Sequence, residues 1–130
     1  LFIIVFSLNT LFCQNNVHSL MYYNSKAQFE KAINYGENQK SLTKIKDNNY
    51  VLLVNNLASA YSIIGDTKNA ELNYLEELEL EKSFFGENDK IVAFTYQNLG
   101  NVYSAANQLK LAENYFLKSI FILKTLQFTK

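Results

Sequence analysis

The sequence predicts an all-α fold, an array of about three antiparallel helix hairpins stacked side by side. Three observations carry this. Sliding the 130-residue chain by 42 positions lays NNLASAY (residues 55–61) on QNLGNVY (residues 97–103), and the same shift lays Ala70-Glu71 on Ala112-Glu113, Tyr74 on Phe116 and Leu78 on Ile120. Two separate blocks agreeing at one offset mark an internal repeat, and a period of this length belongs to helical solenoids. Within each copy the apolar and small residues recur at helical spacing. The chain has no proline, so no helix interior is broken by one.

In order along the chain, residues 1–14 open with LFIIVFSLNTLFC, and no charge appears before Lys26. A bilayer-spanning helix takes about twenty apolar residues, and this run is shorter and is interrupted by Ser7, Asn9 and Thr10. It has the pattern of a signal-peptide core whose start is incomplete, which predicts cleavage and an exported protein, periplasmic or secreted. An uncleaved run would instead leave the protein membrane-anchored, and a buried first helix would leave it cytoplasmic. Residues 15–46 form a degenerate first repeat, where at an offset of 38 Tyr23 and Ala32 take the places of Tyr61 and Ala70.

Residues 47–130 hold two well-formed repeats, 47–86 and 89–128. In the first, Val54, Leu57, Ala58, Tyr61 and Ile64 stand at i, i+3, i+4, i+7 and i+10, and Tyr96, Leu99, Gly100, Tyr103 and Ala106 follow the same template in the second. Gly65-Asp66 supplies a helix stop and a fresh N-cap, with Asn107 taking the glycine's place one repeat later. Ala70, Tyr74 and Leu78, then Ala112, Phe116 and Ile120, recur every four residues in the second helices. The string Gly86-Glu87-Asn88-Asp89 closes one hairpin and caps the next helix. Small side chains at Ala58 or Gly100 and at Ala70 or Ala112 let the paired helices approach closely.

A leucine, a small residue, an aromatic three later, an alanine nine beyond that and an aromatic four further describe Leu57, Ala58, Tyr61, Ala70 and Tyr74, and again Leu99, Gly100, Tyr103, Ala112 and Phe116. This signature resembles the tetratricopeptide repeat (TPR) family. The 42-residue spacing, with Phe85-Gly86 and Val92-Ala93 in the linker, resembles its kinesin-light-chain-like subclass, although Asp89 and Lys90 replace that subclass's His-Pro pair. The resemblance covers residues 50–126 well and residues 14–46 poorly. It implies a right-handed superhelix whose first helices line a concave groove, and a protein–protein interaction scaffold that holds an extended peptide there.

The polar side of the first helices is then the candidate binding surface. Asn55, Ser59 and Ser62 stand at i, i+4 and i+7 beside Asn56, and Gln97, Asn101 and Ser104 repeat the spacing beside Asn98. Carboxamides both donate and accept hydrogen bonds, so such a groove could pair with peptide main chain regardless of its side chains. Asn56 and Asn98 rank first, because relatives in the family hold peptide main chain with a similar asparagine ladder.

Composition excludes other classes. All twelve cations are lysines, balanced by twelve acids, so the basic excess and guanidinium forks expected of a nucleic-acid reader are missing. One Cys, Cys13, and one His, His18, cannot build a Cys/His metal site, and four glycines form no phosphate loop. The sequence predicts no enzyme within these residues, no cofactor, no metal and no stable membrane span. The acid run Glu76, Glu77, Glu79 and Glu81 is expected to be a solvated helix face. The partner is a protein or peptide. The last helix is apolar nearly all round, through Phe116, Leu117, Ile120, Phe121, Ile122, Leu123, Leu126 and Phe128, which suggests an array continuing into further repeats or a downstream domain. On that alternative the repeats are the sensory or substrate-recruiting region of a larger enzyme, resembling the layout of sensor histidine kinases and caspase-like CHAT peptidases.

Overall fold

The structure, a computed structural model, describes residues 28–128. The apolar run at residues 1–14 and the opening of the degenerate repeat, with Cys13, His18 and Tyr23, lie outside the described residues. Five helices follow one another: α1 (Phe29–Leu42), α2 (Asn48–Ile63), α3 (Thr67–Phe85), α4 (Lys90–Ala105) and α5 (Leu109–Phe128). Each packs against its neighbours in sequence, as a stacked array requires. The pairs α2/α3 and α4/α5 are the two hairpins of the 42-residue repeat, and α1 packs on α2 ahead of them.

Local signals in the sequence set the helix ends. The carboxylate of Asp47 accepts from the amides of Asn49 and Tyr50 at 3.0 and 3.1 Å, Asp66 from Asn69 at 3.1 Å, and Asp89 from Ile91 at 2.8 Å. Each thereby satisfies donors that a helix start leaves open. The turn inside each hairpin is the same in both repeats. Gly65 adopts φ +80° and Asn107 φ +58°, and the following amides reach back alike, Asp66 N to Tyr61 O at 2.9 Å and Gln108 N to Tyr103 O at 2.8 Å. Asparagine tolerates the left-handed region better than other side-chain-bearing residues, so it can stand in for glycine here.

Ala58, Ala70, Tyr74, Leu78, Val92, Ala93, Leu99, Val102 and Ile122 form one continuous core through both hairpins. A smaller cluster of Ala32, Tyr50, Leu53 and Val54 joins α1 to α2. The small residues act as expected: Ala58 and Ala70 are fully buried, and at Gly100 a Cβ would lie only 2.5 Å from Phe116 Cε1. Two members of the apolar stripes depart from it. Ile64 is the C-cap of α2 and is 47% exposed, and Ile120 is 45% exposed although its repeat equivalent Leu78 is buried beneath α4.

The acid run is not a solvated face. Only Glu79 is exposed; Glu77 and Glu81 are buried and Glu76 is half-buried. The core stripe of α3 runs through positions 70, 74, 77, 78 and 81, so two of the four carboxylates fall on the buried side of the helix.

Candidate functional site

The first helices α2 and α4 present matched residues 42 positions apart, but the hairpins use them differently. In α2, Asn55 Nδ2 donates to Glu77 Oε1 at 2.8 Å, and Ser59 hydrogen-bonds the Tyr74 hydroxyl, so both turn toward α3. In α4, Gln97, Asn101 and Ser104 are exposed. The reason is the partner helix: the position of Glu77 is occupied in α5 by Ser119, too short to draw Gln97 inward. Ser62 is half-buried near the end of α2.

Asn56 and Asn98 are half-buried alike. Asn56 Nδ2 donates to Leu52 O one turn earlier at 2.8 Å, which fixes its side chain along the helix surface. One turn before each asparagine stands an apolar residue that the polar-stripe argument missed, Leu52 at 41% and Phe94 at 45% exposure. The same 42-residue offset could have found them, since they precede the asparagines by i−4 in both repeats. Ile63, 57% exposed, continues this line at the far end of α2. The surface is therefore amide and apolar in alternation rather than purely amide.

Beneath it lies a buried polar joint. Asn55 from α2 and Thr95 from α4 bracket the two carboxyls of α3, with Thr95 Oγ1 donating to Glu81 Oε2 at 2.7 Å. Burial pushes both carboxyls above their ordinary range, and for Glu77 the neighbouring Glu81 charge pushes further. Among the described residues Glu77 Oε2 meets no donor, and Glu81 follows it one turn later on the same buried stripe. A carboxyl raised this far by burial and by the neighbouring charge keeps its proton at neutral pH, which suits an oxygen that accepts no hydrogen bond.

A second polar joint ties α1 to the hairpins. Lys40 Nζ meets Glu76 Oε2 at 2.7 Å and donates to Asn73 Oδ1 at 2.7 Å; Lys46 Nζ meets Glu76 Oε1 at 2.8 Å; and the Tyr50 hydroxyl donates to Oε1 at 2.7 Å. Burial alone would raise the Glu76 carboxyl, but these donors overcome it and hold it at about 2. Among the described residues, no three His, Cys, Asp or Glu side chains gather as a metal site would need, and no helix is long and apolar enough to cross a membrane.

Repeated hairpins, shared turns and a core running unbroken through them define a helical repeat scaffold of the protein-binding kind. The family pattern described as tetratricopeptide repeat matches residues 50–125, more than half of the chain, and the chain belongs to the tetratricopeptide repeat family. Repeats of this family generally mediate protein–protein interaction. No curated protein matches the chain.

Proposed function

We propose that the scaffold holds an extended peptide across α2 and α4, its main chain against the amides of Asn56 and Asn98 and its apolar side chains on Leu52 and Phe94. The observation that carries this is the recurrence of the Leu52/Asn56 pair as Phe94/Asn98 at the repeat offset, each pair on the outward side of a first helix. A peptide crossing both helices meets the same amide and apolar contact twice, which suits main-chain pairing with side-chain anchors. The 42-residue period and the Val92-Ala93 linker support placement in the kinesin-light-chain-like subclass. The apolar run at residues 1–14 supports export.

The test is the double variant Asn56→Ala/Asn98→Ala, assayed against peptides selected on the wild-type protein from a library of exported sequences. Each lost amide contact is worth about 0.5 to 1.5 kcal/mol, so affinity is expected to fall roughly five- to a hundredfold. Helicity should hold, because alanine is the better helix former. Ala70→Leu, which overpacks a fully buried position, is the control that loses fold and binding together. Unchanged affinity in the double variant, or unfolding equal to the control's, refutes the amide contact.

A second reading rests on α5, where Leu117, Phe121 and Phe128 are 56%, 67% and 87% exposed. An apolar face of this kind favours the repeats acting as the recruiting region of a larger assembly, such as a sensor kinase or a CHAT-type peptidase. A coding frame that continues into a catalytic domain would decide for it.

A further inference from the structure

The two seams between successive second helices differ in charge at one matched pair of positions. Between α1 and α3, Lys40 meets Glu76 at 2.7 Å. Forty-two residues on, Lys82 stands at the Lys40 position and Lys118 at the Glu76 position. The seam between α3 and α5 thus has a lysine at each of the two positions where its predecessor has an ion pair. Both groups lie over the same ring, Lys82 Nζ 5.7 Å and Lys118 Nζ 5.3 Å from the centroid of Tyr96. Lys118 also lies 5.3 Å from the centroid of Tyr115, whose ring is 6.2 Å from that of Tyr96.

Beside these rings is a cavity of about 430 Å³, with Tyr96 and Lys118 in its lining, Leu117 and Phe121 as apolar walls, and Glu87 and Asn88 of the α3–α4 turn at one side. The nearby acids act on Lys82 and leave Lys118 without one among the described residues. Exposed Glu79 reaches Lys82 only at 3.6 Å, and Glu87 also acts on Lys82. Lys118 forms no ion pair among the described residues. The cavity is separate from the groove proposed above, because Tyr96 is two residues from both Phe94 and Asn98, about 200° around α4.

We propose that this cavity is a second binding site, which takes the carboxylate of a glutamate or aspartate flanked by apolar residues on a partner polypeptide. The carboxylate pairs with Lys118 and so supplies from outside the acid that this seam lacks and that Glu76 provides in the preceding one. Its apolar neighbours lie on Leu117 and Phe121, which stand 56% and 67% exposed. A charged pair half-shielded by aromatic rings is less screened than one in open water, so the acid is recognised as well as attracted.

The test titrates acetyl-Leu-Glu-Leu-amide and its glutamine counterpart onto the full chain, following the Lys118 ε-methylene, the Tyr96 ring and the Ile122 methyl groups by NMR. The glutamate peptide is expected to shift these signals saturably, with the glutamine peptide at least tenfold weaker and Lys118→Gln weakening the glutamate peptide at least tenfold. Lys118→Glu recreates the pairing of the first seam with Lys82, so it should raise Tm and abolish binding. Equal binding of the two peptides, absence of saturable shifts at millimolar concentration, or binding retained in Lys118→Glu overturns the site. So does the same set of shifts produced by sodium acetate at equal concentration, which would reduce it to an anion contact. A lower Tm in Lys118→Glu overturns the matching of the seams on which it rests.

Discussion

Glu77→Gln is expected to stabilise the protein by about 3 kcal/mol at pH 7, by more as pH rises further, and to leave it unchanged in acid. The folded chain holds a proton on Glu77 that the unfolded chain releases above the ordinary value of 4.5. Below that pH both states are protonated and the group contributes no pH dependence. Above it, folding must retain the proton at roughly 1.4 kcal/mol per pH unit, so wild-type stability falls as pH rises until the pair ionises. Glutamine keeps the contact with Asn55, its oxygen accepting, and offers an amide donor on the Glu81 side, without a proton to retain. Glu76, the adjacent residue, acts in the opposite sense. Its carboxyl is held at about 2, so its contribution is complete above 4.5 and is lost as pH falls through 2, at about 1 kcal/mol once solvent screening is allowed for. Urea denaturation from pH 3 to 9 should therefore give a maximum near pH 4 to 5, and Glu77→Gln should remove its alkaline limb. A variant with the wild-type alkaline slope would place the proton elsewhere.

Gly100→Leu is expected to destabilise by about 3 kcal/mol, at the upper end of overpacking effects. The Cβ alone would sit 2.5, 2.6 and 2.9 Å from three atoms of the Phe116 ring, so the ring has to move before a larger side chain fits. Gly100→Ala should cost less, because the helix gains about 1 kcal/mol from losing a glycine. The first repeat carries its own control: Ala58 and Tyr74 occupy the equivalent positions, and both are buried there. Contact between these helices is therefore compatible with a Cβ when the facing ring sits differently. Thermal melts of Gly100→Leu with and without Phe116→Ala measure the coupling. A double variant no more stable than Gly100→Leu alone would show that the ring is not the obstacle.

Repetition made most of the array legible. Because the offset aligns turns as well as helices, the sequence pattern alone identifies Asp66 as a cap and Asn107 as a left-handed stand-in for glycine. Burial of charge was not legible, since a run of glutamates carries no mark of which members fall on the core stripe until the stripe is extended through positions 77 and 81. Once it is, Asn55 and Thr95 become the polar neighbours such acids require. The groove was half legible for a related reason. Polarity marked Asn56 and Asn98, but it passes over Leu52 and Phe94, because a hydropathy pattern cannot distinguish an apolar side chain facing a neighbour helix from one facing water.

The joint around Glu76 has a consequence for how the array comes apart. Among the described residues the hairpins share one apolar core, whereas α1 is joined to them by a four-residue cluster, the Lys40 ammonium on Glu76, and the bond from the Tyr61 hydroxyl to Glu37 at 2.9 Å. Charged contacts weaken with ionic strength while apolar burial does not. Among the described residues stability is thus graded along the stack: the joint between α1 and the hairpins is the one whose strength salt governs, while the two paired repeats hold to each other through apolar burial.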